Sequence, residues 1–199
     1  MAREFADLLR TVAGNMMAVS ESAYPLAIQQ AVALILDAFR SDHKLLVFGN
    51  GGSSTDAQHF TAEFVGRFAA ERRALPAIAL TTNQAILTAW SNDYSFDGIF
   101  ARQIDALGLS GDVAFGISTS GKSPNVVNAL ARARDRGLKT IGLTGAGGGA
   151  MAPLCDVLLA VPLKETARIQ EVHLVTCHAI CAAVEASIDK AADPSHQLL

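Results

Sequence analysis

At 199 residues, 50% hydrophobic and 18% charged, the chain is too apolar for a disordered segment and long enough to bury the core of one ordinary domain. A net charge of −3 with no dense Lys/Arg cluster argues against a nucleic-acid partner, and three cysteines (Cys155, Cys177, Cys181) without CxxC spacing read as reduced, mostly buried thiols. The start, Met1–Asp7, is too polar for a signal peptide, and no apolar run approaches the ~20 residues of a membrane span, so a cytoplasmic protein without a membrane partner is expected.

Phe5, Leu8, Leu9, Val12, Met16 and Val19 recur at helical period and predict a first helix over residues 2–22. Pro25 suits the first turn of a second helix through Ile28, Val32, Ile35, Leu36 and Phe39. Both apolar faces need a partner. Strand-like runs follow at 45–48, 77–80, 113–117, 140–143 and 157–161, with helical patterns at 54–67, 83–91 and 124–136. A last helix is expected from about Arg168 to Lys190. Strands of continuous aliphatic residues alternating with helices indicate a parallel sheet covered on both faces. The expected fold is a single α/β domain, a flavodoxin-like, doubly wound parallel sheet of five strands. An N-terminal helical pair occupies residues 1–42, the sandwich 43–190 and a tail without function 191–199.

Three segments fall where such a sheet binds ligands, outside the carboxyl ends of its strands. Asn50-Gly51-Gly52-Ser53 lies in a strand-to-helix turn, which aims backbone N–H groups and a helix dipole at an anion. Ser118-Thr119-Ser120-Gly121-Lys122-Ser123 brings four hydroxyls to another helix start, more than a cap requires, although Ser120 or Ser123 capping that helix is the simpler alternative. Asn92-Asp93 sits in a polar break, a common turn former. The glycines at 145, 147, 148 and 149 are either a flexible connection or a ligand loop. Trp90 either shapes the neighbouring pocket or fills a core or interface position.

His59 and Glu63 share a helix face four residues apart, a weak signal alone. Gln170 and His178 lie about two helical turns apart and are read as facing one site. His173 falls off that line, as a surface or interface histidine. Two histidines, a carboxylate and an amide oxygen form a divalent-metal set that favours zinc or a neighbouring transition metal.

Together GNGGS…DAQHFTAEF, ISTSGKSPNV, LTG…GG and RIQEVHLVTCH resemble the sugar isomerase (SIS) domain family, and within it the phosphoheptose isomerases, over nearly the whole chain. The resemblance implies conversion of sedoheptulose 7-phosphate to D-glycero-D-manno-heptose 7-phosphate, the first step of ADP/GDP-heptose biosynthesis, which feeds lipopolysaccharide or another heptose glycan. It assigns Asn50, Gly51, Gly52, Ser53, Glu63, Asn92, Asp93 and Gln170 to substrate binding, and Ser118, Thr119, Ser120 and Ser123 to the phosphate. It makes His59, Glu63, Gln170 and His178 the ligands of one Zn2+ per subunit, and Glu63 and His178 the acid/base pair. It also implies a homotetramer with active sites at subunit interfaces, in which the N-terminal helices serve oligomerisation. A metal-bound carboxylate is a weaker base, so the two roles of Glu63 are in tension.

Two other readings are an SIS-fold regulator that binds the replication initiator and an isomerase of another phosphosugar. The regulators lack the Glu and His that stand here at 63 and 178, which favours the enzyme. Isomerases of arabinose 5-phosphate usually carry extra C-terminal domains. Ala167 stands where some relatives have an acidic residue, so no role transfers there.

Overall fold

The computed structural model describes residues 1–188. Helices α1 (Ala2–Ser20) and α2 (Tyr24–Arg40) precede β1 (Leu45–Gly49) and α3 (Gly52–Val65). Next come β2 (Ala77–Ala79), α4 (Gln84–Asp93), a 3₁₀ turn at Phe96–Gly98 and α5 (Ile99–Leu107). The chain continues through β3 (Val113–Ser118), α6 (Pro124–Asp135), β4 (Lys139–Thr144), a second 3₁₀ turn at Gly149–Leu154, β5 (Val157–Ala160) and α7 (Thr166–Ser187).

All five strands run parallel in the order β2-β1-β3-β4-β5, the flavodoxin-like arrangement expected from the sequence. Successive residues of a strand face opposite sides, so the continuous apolar runs feed two cores. Leu45, Val47, Phe115 and Leu143 meet Phe39, Phe60, Phe64 and Ile180 from α2, α3 and α7 on one face. Leu46, Phe48 and Ala114 meet Phe100, Ile104, Val126 and Leu130 from α5 and α6 on the other. Phe60 lies 4.9 Å from Phe64 and 5.2 Å from Phe115, ring centre to ring centre. Truncating such a buried ring typically costs about 3–5 kcal/mol.

Helix α5 is absent from the sequence expectations. Its apolar face (Ile99, Phe100, Ile104) is short and follows the Asp97-Gly98 break, which hid the period. Helix α4 extends to Asp93, so Asn92 and Asp93 form its last turn rather than a polar break after it. The expected end of the last helix at Lys190 and the tail at 191–199 lie outside the described residues. Helix α1 joins the core near its C-terminus, through Val19, while Phe5, Leu9 and Met17 stay 61%, 69% and 64% exposed. No single described helix is long and apolar enough to cross a membrane.

Strand order reverses direction between β1 and β3, which opens a crevice beyond their carboxyl ends. The loops that follow these two strands are the glycine turn at Asn50 and the serine loop at Ser118.

Candidate functional site

The glycine turn and the serine loop are tied together by a side chain the sequence reading missed. Nδ2 of Asn50 donates to Oδ1 of Asn125 at 2.8 Å, and Nδ2 of Asn125 donates back to Oδ1 of Asn50 at 2.9 Å. Asn125 is 1% exposed, and its Oδ1 also accepts the Val126 amide at 3.0 Å. The Asn50 side chain is thereby spent on holding two loops in register. What the turn presents outward is backbone: Gly51 has φ of +56°, open to glycine at little cost, and α3 starts with no side-chain cap. No signal in one sequence marks Asn125, an ordinary polar residue in the first turn of α6.

The serine hydroxyls do not cap α6. Ser118 Oγ lies 3.0 Å from Ser123 Oγ and 3.4 Å from Ser120 Oγ, while Ser120 Oγ accepts the Lys122 amide at 3.2 Å. The helix that starts at Pro124 receives no side-chain hydrogen bond from Ser123. Clustered hydroxyls beside a helix N-terminus are an arrangement that suits an anion. The glycine loop is not a free connection. It buttresses the serines, because Gly145 N–H donates to Thr119 O at 3.0 Å and Met151 N–H to Gly121 O at 3.2 Å. Gly121 has φ of +63°, and a Cβ there would collide with the Gly148 carbonyl.

A second cluster lies between α3 and α7. His59 Nε2 is 3.0 Å from Glu63 Oε1, and the His59 and His178 rings cross edge to face at 5.1 Å. The Phe68 ring also lies against His178, 5.6 Å away centre to centre. Asp56, Leu174, Cys177 and Cys181 complete the lining. Burial pushes the Asp56 carboxyl up, against the pull of His59. Burial also raises both thiols, Cys181 to about 12, so they stay protonated and unreactive. Two imidazoles and a carboxylate are a fitting zinc donor set. Yet among the described residues no three His, Cys, Asp or Glu side chains stand close enough together to hold an ion.

Gln170 does not join this cluster within the chain. Its amide nitrogen would sit 2.9 Å from a Cβ on Gly52, which places it at the start of α3 beside the glycine turn. His178 is eight residues further along α7, about 12 Å. The two-turn spacing therefore sends the two side chains to separate places, because the helix runs alongside α3 instead of pointing at one spot.

His173 is fully buried rather than a surface residue. Neither ring nitrogen makes a hydrogen bond of good geometry among the described residues, although the Thr144 backbone lies close enough to offset part of the cost of burial, and the Thr144 hydroxyl is likewise without a partner. Burial pushes its pKa down to about 4, so it is neutral at physiological pH. Trp90 is half-buried, stacks on Tyr94 at 4.2 Å and lies under the Arg102 guanidinium at 5.0 Å, bracing the turn that follows α4. Asn92 and Asp93 are exposed, with Asn92 Nδ2 donating to Asp93 Oδ1 at 2.9 Å. The turn after them reaches α6 through Asn128 Nδ2, which donates to Asp97 O at 3.1 Å.

Residues 10–145 match the family model of the SIS domain. The phosphoheptose isomerase of Bradyrhizobium sp. strain BTAi1 is 52% identical over 183 residues, 92% of each chain. Among solved structures, phosphoheptose isomerases from Neisseria gonorrhoeae (TM-score 0.87, 41% identity) and Francisella tularensis (TM-score 0.88, 37% identity) are each matched over 93% of this chain and 98% of theirs. A likeness this extensive covers both clusters and the helices that carry them. The chain belongs to the SIS-domain family, within its phosphoheptose isomerases.

Proposed function

We propose that the protein interconverts sedoheptulose 7-phosphate and D-glycero-D-manno-heptose 7-phosphate in the cytoplasm, as a homotetramer whose active sites each draw on two copies of the chain. The observation that carries this reading is the separation inside one chain. The loops that suit a phosphosugar, with Gln170 beside them, stand about 10 Å along α3 from the His59/Glu63/His178 cluster that suits proton transfer. An extended seven-carbon sugar phosphate spans about that distance from C1 to phosphorus, so its phosphate can sit in the loops while C1 and C2 reach a cluster, which in this reading belongs to another copy. Helix α1 supports such assembly, since its exposed apolar side chains form the kind of surface that another copy covers.

In this reading the hydroxyls of Ser118, Thr119, Ser120 and Ser123 and the start of α6 hold the phosphate, which fixes the far end of the sugar. Glu63 takes the proton from C1 of the ketose. The electron pair forms the C1–C2 double bond of an enediolate, and the proton returns at C2 to give the aldose. His178 carries a proton between O1 and O2, so the step is balanced without an external acid or base. His59, Glu63 and His178, which would have to turn closer together than they stand here, would hold a divalent ion, zinc by donor type, with Gln170 from another copy. Such an ion supplies Lewis-acid stabilisation of the developing oxyanion.

The test is conversion of sedoheptulose 7-phosphate by the purified protein, with and without chelator. Turnover that Glu63→Gln abolishes supports the reading. A folded wild-type protein with no turnover under any divalent ion overturns it.

A further inference from the structure

We infer that the buried pair Arg72 and Glu185, assigned no part in the reaction so far, positions Glu63 and His178 for proton transfer, an inference that rests on the isomerase reading above. A helix leaves its last carbonyls without partners, and a glycine in left-handed conformation is the common remedy. Helix α3 ends differently, since its C-cap Gly66 has φ of −80°. The Arg72 guanidinium takes over. It donates to the carbonyls of Glu63 at 2.6 Å, Phe64 at 2.8 Å, Gly66 at 3.0 Å and Arg73 at 2.9 Å. One of those carbonyls belongs to the proposed base itself.

Glu185 completes the device from α7, seven residues beyond His178. Its carboxylate accepts the amides of Phe68 at 3.0 Å, Ala69 at 2.8 Å and Ala70 at 2.7 Å, and its Oε2 lies 3.4 Å from Arg72 Nε. Phe68, held in this way, is the residue whose ring flanks His178. Both charges are buried, with side chains 2% and 7% exposed. Burial would raise the Glu185 carboxyl, but three amide donors and the guanidinium outweigh it and hold the group below its ordinary range.

Stability alone does not call for this arrangement, because well-packed apolar replacements of buried ion pairs are often neutral or stabilising. What an apolar plug lacks is the directional hold on seven backbone groups around one helix end. Those groups fix the base at one end and the wall behind the acid at the other. Misplacement of reacting groups by about 1 Å can cost on the order of a hundredfold in rate.

The experiment compares wild type with Glu185→Gln and with Arg72→Lys, which keeps the charge but loses the planar fork. Measured are kcat and KM for sedoheptulose 7-phosphate, amide exchange of Phe68, Ala69 and Ala70, and the absorption of Co2+ titrated into metal-free protein. The inference expects assembled, folded variants with faster exchange at the three amides. It further expects kcat lower by roughly ten- to a hundredfold at nearly unchanged KM, and a weaker Co2+ spectrum. Faster exchange with unchanged kcat and unchanged Co2+ binding would make the pair purely structural and overturn the inference, as would unchanged exchange. If one variant does not fold, the other carries the test. If the wild type itself is inactive on the sugar, the isomerase reading fails. The anchor then stands or falls on whether the variants weaken Co2+ binding.

Discussion

Acidification should destabilise this protein through His173 before it protonates the bulk of the carboxylates. In the folded chain the imidazole is fully buried and its pKa is pushed down to about 4, against 6.5 in an exposed chain. The unfolded state thus binds a proton that the folded state refuses, so stability falls as pH drops from 6.5 toward 4 and is fully present above 6.5. At about 1.4 kcal/mol per pH unit the whole window is worth about 3 kcal/mol, of which about 2 kcal/mol is gone by about pH 5. That is a large share of the 5–15 kcal/mol (roughly) that a domain has. The assay is urea denaturation at fixed protein concentration near pH 8 and near pH 5, for wild type and for His173→Leu, which cannot titrate. The wild type should lose about 2 kcal/mol more than the variant between the two conditions. Equal losses would show that His173 is not kept neutral by burial, and the reasoning would fail.

Other consequences are as direct. Asn125→Asp keeps the shape but opposes two oxygens across the amide pair; it should cost about 1–3 kcal/mol of stability and raise KM for the phosphosugar, seen in melting curves and steady-state kinetics. Glu63→Gln should lower kcat by roughly 10²–10⁴-fold while the circular dichroism spectrum and melting temperature stay close to wild type, since an amide of the same shape keeps an oxygen for His59 at a side chain 22% exposed. Leu9→Glu, at a side chain 69% exposed in the single chain, should leave the subunit folded yet shift the sedimentation coefficient to smaller species and reduce activity in parallel. An unchanged oligomer with full activity would remove α1 from the interface.

Much of the fold was legible because hydrophobic period is a local signal. The five strands read as unbroken aliphatic runs, and their parallel pairing follows from the helices between them. Helix α5 escaped because only nine residues follow a break, too few to establish a period. The loop residues were legible for a similar reason, since glycines and hydroxyls next to a strand end carry their chemistry in type and position. What sequence spacing could not supply was direction in space. Eight residues between Gln170 and His178 look like one face of a helix, but a face about 12 Å long serves two places. His173 was misread because helical period assigns a face, whereas a polar residue type was allowed to decide its burial. Asn125, Arg72 and Glu185 act through partners 75, 8 and 117 residues away, and no local pattern reports such pairings.

The claim on which the account turns is that each active site takes loops from one copy and the His/Glu cluster from another. Mixing two inactive proteins tests it most directly. Gln170→Ala damages the loop side and Glu63→Gln the cluster side. When the two are unfolded together in equal amounts and refolded, a composite site finds intact loops and an intact cluster in roughly a quarter of pairings, so about a quarter of the wild-type rate should return. A rate no higher than that of either parent, with mixed oligomers demonstrated by distinct tags, would mean that the site is complete within one chain and would contradict the account.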